Sequence, residues 1–294
     1  MENTKYYKKE KNIYRFRVEQ DDDAPNPRTE NDNLAHMICW NRYYDLGDDH
    51  EYESQNQLLD EMIHENYSDL SIYRYIKKNK SSNNIELIYD RKEKEYQLIG
   101  DYRVWWNGGK VHHGVIASQP SKEWLVDDIL DALPIPDKIH MLERKGYMFM
   151  PLSIYDHSGI TMYIGNSLDH YDGQFDCSNV GFIYVNKNEV ARNVNVTNKN
   201  WKWAAELVMR LEVEVYDQYL KGYCYGYIIE ELDQEMLKAG HEKTEEIEAD
   251  DSYWEHNISS WGYYSDKCGD ALIEELFSGA VGDVTIHNSL AACM

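Results

Sequence analysis

Residues 151–165, PLSIYDHSGITMYIG, set Asp156, His157 and Ser158 in consecutive positions, the three side-chain types of a hydrolase triad. A triad works because an imidazole sits between a carboxylate that orients it and a hydroxyl that it deprotonates. Neighbouring residues on a strand point to opposite faces, so Asp156 and Ser158 share one face and His157 takes the other. The hydrogen-bond relay cannot form that way. A nucleophile elbow needs a strand-to-helix turn, and here a second strand-like run, ITMYI, follows instead. Asp-His-Ser-Gly reads better as a strand–turn–strand corner, with Asp156 and Ser158 capping backbone N–H groups and Gly159 taking the unusual dihedral. A hydrolase or metal-dependent enzyme using His157 with nearby acids stays open as the alternative.

Asp156, His157, Asp169, His170, Asp172 and Asp176 offer carboxylates and imidazoles to a hard divalent cation or to zinc, but their spacing matches no established ligand pattern. His112 and His113 are strand neighbours and cannot chelate together. No P-loop, G-x-G-x-x-G or H-E-x-x-H occurs. The five cysteines (Cys39, Cys177, Cys224, Cys268 and Cys293) are scattered and form no C-x-x-C pair. Neither a disulfide framework nor a cofactor is expected, and catalytic residues are expected to be absent.

The elements around the corner follow from pattern. IYRFRV (13–18) alternates as a strand, and 34–44 reads as a further extended or buried element. Ser54 caps a helix with Leu58, Leu59, Met62 and Ile63 on one face. Runs at 85–90 and 96–106, the turn Asn107-Gly108-Gly109 and the return strand 111–117 form a hairpin region. A helix over 121–133 is stopped by Pro134 and Pro136. The spacing predicts a long helix at about 200–220, with Trp201, Ala204, Val208, Leu211, Val215 and Tyr219 as its apolar stripe. A strand at 223–229, a solvated helix and loop over 230–255, a strand at 259–265 and a helix at 270–277 complete the chain.

Charge sorts the functions. The 294 residues hold 53 acids against 30 bases, a net charge of -23, which argues against direct nucleic-acid binding and against an anionic membrane surface. It allows docking on a basic partner or imitation of nucleic-acid phosphates, besides simple solubility. Two long acidic stretches are 45–65 and 230–255, besides the acidic, proline-bearing loop 19–32. Candidate partner-binding residues are Asp48, Asp49 and Glu51 in the first, and Glu245, Glu246, Glu248, Asp250, Asp251 and Trp254 in the second. The 25 Tyr and 8 Trp, against 5 Phe, suit interfaces as well as half-buried sheets. Trp201, Trp203, Trp261 and Tyr263 are the candidates for self-association into a homo-oligomer. The N-terminal MENTKYYKKEKN lacks an apolar run and does not read as a secretory signal, and no stretch is apolar for long enough to span a membrane.

PLSIYDHSGIT, followed by DGQFDCSNVGFIYV, resembles a family of proteins encoded by tailed phages and prophages. YRFRVEQDDDAPNPRTENDNLAHMICWNRYYDLGD (14–48), VEVYDQYLKGYCYGYII (213–229) and SSWGYYSD (259–266) are similar to further segments of that family. The resemblance implies an α+β fold, mostly antiparallel sheet, with a family-like core of 1–52 and 151–229. It also implies an inserted hairpin-plus-helix region (53–150) and an acidic C-terminal extension (230–294). About a hundred residues separate Leu46-Gly47-Asp48 from the Tyr155-Asp156-His157 strand, where family members have a short connection. In size and make-up the chain also resembles viral anti-defence proteins directed at the bacterial Gabija system. That likeness implies a partner, the nuclease subunit of a bacterial defence complex, and an inhibitor that blocks its DNA engagement and cleavage in the host cytoplasm. A general acidic DNA mimic is the alternative.

Overall fold

Tyr6 and Tyr7, adjacent in sequence, point to opposite faces of a strand and serve two different cores. That strand, β1 (Thr4–Lys9), pairs antiparallel with β2 (Asn12–Gln20) in a computed structural model. The structure describes residues 4–294 except 80, 82, 105–109, 158, 167–175, 195, 198 and 236–242. The expected turn at Asn107-Gly108-Gly109 therefore lies outside the described residues, as do Ser158, Asp169, His170 and Asp172.

Three sheets, antiparallel throughout, make the α+β fold. The first runs β11-β10-β2-β1-β12, with β10 at Cys224–Leu232, β11 at Trp254–Tyr264 and β12 at Ile286–His287. One face packs Tyr7, Phe16, Val18, Tyr227 and Ile229 on Leu272, Ile273, Leu276 and Phe277 of a helix, α9 (Gly269–Ala280). The other face buries Tyr6, Ile13 and Leu232 with Ile247, Tyr253, Trp254 and Leu290. The segment 230–294 is thus built into the sheet that holds the N-terminus and supplies both of its edges.

The second sheet runs β3-β9-β7-β8, with β3 at His36–Cys39, β7 at Tyr147–Asp156, β8 at Ile160–Ile164 and β9 at Cys177–Asn186. Met37, Leu152, Ile154, Met162 and Ile183 on one face meet Trp201, Ala205, Met209, Val213 and Tyr216 of α7 (Trp201–Leu220), which follows the short helix α6 (Lys187–Asn193). The other face, Ile38, Phe149, Phe182 and Tyr184, is covered by the segment between the two sequence halves of this sheet. That segment supplies α2 (Gln55–Asn66), α3 (Asp69–Lys78), α4 (Val126–Ala132), α5 (Ile135–Glu143) and a third sheet, β4-β5-β6 (Glu86–Asp90, Glu95–Val104, Lys110–Gln119). Position 150, the expected end of an insertion, falls inside β7.

Several expectations need correction. Pro134 and Pro136 do not simply end a helix: α4 stops at Ala132, and Pro136 sits in the first turn of α5, where its fixed φ fits and its missing N–H costs nothing. The buried stripe of α7 is rotated from the expected one. Leu211 is exposed and Val208, Val215 and Tyr219 are only half-buried, while Ala205, Met209, Val213 and Tyr216 face the sheet. Residues 230–232 continue β10, so the start of the acidic 230–255 stretch is strand and not solvated helix.

Buried charges lock these layers. The Arg28 guanidinium, in the short helix α1 (Pro27–Glu30), donates to Asp48 Oδ1, Glu212 Oε2 and the Ala35 carbonyl, each at 2.7 Å. Asp48 Oδ2 accepts from Met37 N, and Glu212 Oε1 accepts from Leu34 N and Ala35 N. Lys138, fully buried on α5, reaches Asp60 at 2.7 Å and Asn56 at 2.9 Å on α2. Arg15 and Arg17 share Glu230.

Candidate partner-binding surface

The chain leaves β3 at Cys39 and enters a loop, Trp40 to Glu53, whose shape is dictated from below. Gly47 lies so close to the Met37 carbonyl that a Cβ would stand 2.4 Å from its oxygen, and its φ of 77° favours glycine. The Gly47 N–H donates to the Tyr216 hydroxyl at 2.9 Å, and Asp48 is held by Arg28. The Trp40 indole N–H donates to the Tyr52 carbonyl, and His50 Nε2 lies 2.8 Å from the Cys39 carbonyl. Asn41 Oδ1 accepts from the N–H groups of Tyr43 and Tyr44. This tight Asx turn throws Tyr43 outward, where it is 77% exposed with the Arg42 guanidinium 5.7 Å from its ring centre.

Tyr44 turns the other way and donates to Asp156 Oδ2 at 3.0 Å. This bond raises the Tyr44 phenol above its ordinary pKa. The β7–β8 corner and the loop therefore form one surface. Two of the three side chains of the apparent triad, Asp156 and His157, are described there. Asp156 and Ile160 are ladder partners, Gly159 takes φ 148°, and the His157 N–H donates to the Gly159 carbonyl. The Asp156 carboxylate serves Tyr44, while His157 Nδ1 faces a different acid, Asp176 Oδ2, at 3.5 Å. His157 and Asp176 do come together, as the sequence grouping had them. No group of three His, Cys, Asp or Glu side chains is placed to hold a metal ion among the described residues. All five cysteines are free thiols, and burial pushes the Cys39 thiol up to about 12.

The candidate acids divide sharply. Asp49 and Glu51 are exposed beside Asp45 and Glu53, and these four take part in no ion pair among the described residues. Asp48 is internal: its carboxylate is the anchor of the loop and not part of its outer charge. In the second stretch Glu245, Glu246 and Asp250 are exposed on or beside α8 (Thr244–Ala249), and Asp250 is held below the usual carboxylate range by the Ser252 N–H. Glu248 accepts from Leu290 N, and Asp251 pairs with Arg15, so both are tied into the fold. Trp254 is a correction: it is buried, donates to the Ile247 carbonyl and lies under Arg15, so it is a core residue and not an exposed anchor. The two acidic stretches attach to different sheets, the first to the strand β3 and the second to β10 and β11.

The aromatic candidates divide as well. Trp201 is buried against the second sheet and cannot meet a partner. Tyr263 is half-buried against Tyr227. Trp203 is 67% exposed, and Trp261 lies over Gly226 with its outer side open to water. The sequence reading missed Tyr43 and Tyr44. The Asx-turn residue Asn41 followed by two tyrosines was the available signal.

The fold and site thus define an antiparallel α+β protein with an acidic, tyrosine-bearing loop surface. Compared with protein-family models, curated proteins and solved structures, the chain gives no significant match. No helix among the described residues is long and apolar enough to cross a membrane.

Proposed function

We propose that this is a phage-encoded protein that binds a basic, DNA-handling partner in the bacterial cytoplasm and blocks its access to DNA. The partner we favour is the nuclease subunit of a defence complex of the Gabija kind. One observation carries the reading: the 41–53 loop carries the exposed Tyr43 together with Asp45, Asp49, Glu51 and Glu53, four exposed carboxylates in no ion pair among the described residues. Tyrosine is a favoured anchor at protein interfaces, and unneutralised acids of one sign speed encounter with a surface of the other. The phage origin rests on the resemblance of segments 14–48, 151–185, 213–229 and 259–266, and the choice of nuclease on a likeness in size and make-up alone.

Self-association supports a grip on a symmetric target. Outward on α7, Trp203, Leu207 and Leu211 form an exposed i, i+4, i+8 row, flanked by Lys202, Glu206, Arg210 and Glu214. A second copy laid antiparallel sets Lys202 opposite Glu214 and Glu206 opposite Arg210. In the single chain Arg210 instead pairs with Glu206 at 2.9 Å.

The test is co-purification of the tagged protein from infected cells that carry the defence system. Recovery of the nuclease subunit together with rescue of infection supports the reading. No recovery and no rescue overturns it, and salt-sensitive capture of many basic proteins marks a general DNA mimic instead.

A further inference from the structure

Where α2 crosses the end of the second sheet, the aromatic face of that sheet is left partly open. Leu58 and Met62 on α2 are buried, and Glu61 and Glu65, one turn apart, lie on the helix side that borders the gap. The gap is a pocket of about 140 Å³ with Tyr52, Tyr147 and Tyr184 in its walls and Glu61, Glu65 and Glu189 at its rim. It contains no Lys or Arg, and its one basic group is His36, whose Nε2 is 3.6 Å from Glu189 Oε1.

We propose that this pocket receives the guanidinium of an arginine side chain projecting from a basic protein partner. The proposal rests on the partner-binding reading above and names the chemistry of one contact. Three features fit. The volume is below the roughly 300–1,000 Å³ of small-molecule sites, so it suits the end of a side chain. Tyr52 and Tyr147 line the gap with aromatic surface, and carboxylates match the forked donors of a planar cation. The walls are preorganised: Tyr184 is packed between His36 and Phe149 at 5.1 and 5.3 Å, and Tyr147 stands 6.4 Å from Tyr184 at an angle of 53°. The carboxylates are only partly used within the chain. Glu61 accepts from Gln57 at 3.1 Å, Glu189 Oε2 accepts from Asn186 N at 2.8 Å, and Glu65 enters no ion pair among the described residues. Three acids thus line a pocket whose lining holds no Lys or Arg among the described residues, and a cation from outside complements them.

The probe is N-acetyl-arginine methylamide, with its uncharged, isosteric citrulline counterpart as control. Binding is read by the ring NMR signals of Tyr52, Tyr147 and Tyr184 in the full chain. The arginine probe is expected to shift these signals saturably and the citrulline probe to leave them in place. A Glu61→Gln, Glu65→Gln double variant, at helix positions open to water, is expected to keep its circular dichroism and bind about tenfold more weakly, the scale of one lost charge-assisted hydrogen bond. Shifts that do not saturate, that citrulline reproduces, or that the double variant retains in full would overturn the proposal. Because no nuclease is present, failure here leaves the partner-binding reading standing, and saturable arginine binding survives even if no nuclease is ever captured.

Discussion

Arg28 is a buried side chain that ties three elements together. It is buried and satisfies Asp48 and Glu212 together, so Arg28→Ala strands two carboxylates among α1, β3 and α7. Removing one partner of such a network costs about 3–5 kcal/mol, and Arg28→Lys, which lacks the fork, is expected to recover only part of it. Chemical denaturation of the two variants against the parent protein measures this. None of it was legible in the sequence, where Asp48 reads as one more surface acid. An ion pair spanning 184 residues, Arg28 to Glu212, leaves no local pattern. The strand–turn–strand frame of the Asp-His-Ser segment was legible: β7 ends at Asp156 and β8 begins at Ile160. Tyrosines give a second prediction at this scale. Burial pushes the Tyr6 and Tyr7 phenols up to about 12. A raised folded pKa means stability that is intact below the unfolded value of about 10 and lost as pH rises through the folded one. Tyrosinate absorbance in an alkaline titration should therefore show a late-ionising subset that appears together with unfolding between about pH 10 and 12.

At the scale of elements, β3 is a short edge strand whose far end launches the candidate loop, and Gly181 lets it sit there. A Cβ on Gly181 would stand 2.0 Å from the Ile38 carbonyl oxygen, a backbone atom that cannot swing aside. Gly181→Ala is expected to part β3 from β9, cost on the order of 1–3 kcal/mol, and expose the amides of residues 37–39 to faster hydrogen exchange. The helix α7 shows why patterns mislead. It carries apolar residues nearly all round, so period alone fixes that it is a helix but not which side is buried. The sheet chose the side with Ala204 and Ala205, which permit close approach, and left Trp203, Leu207 and Leu211 outside. If that row is a self-association surface, Leu207→Glu should shift the mass by light scattering toward the monomer without changing the melting temperature. An unchanged mass distribution in a parent protein that already runs as an oligomer would place the interface elsewhere.

On the scale of the whole molecule, the chain's charge was legible at once and its distribution was not. Sequence reading treats every acid in 45–65 and 230–255 alike, whereas folding uses Asp48, Glu230 and Glu248 in internal bonds, pairs the still exposed Asp251 with Arg15, and leaves Asp45, Asp49, Glu51, Glu53, Glu245, Glu246 and Asp250 outside. The association rate with a basic partner should therefore fall steeply as salt is raised through the physiological range, where the Debye length shortens to about 8 Å. The dissociation rate should respond far less if Tyr43 is a packed anchor. The most direct measurement mixes the purified protein with the purified nuclease complex of a Gabija system and follows cleavage of its DNA substrate. The account predicts a stable complex and loss of cleavage, with a Tyr43→Ala, Asp49→Asn, Glu51→Gln variant that remains folded yet inhibits about tenfold or more weakly, as for loss of an interface anchor. Cleavage that continues unchanged at saturating protein, with no complex formed, would contradict it.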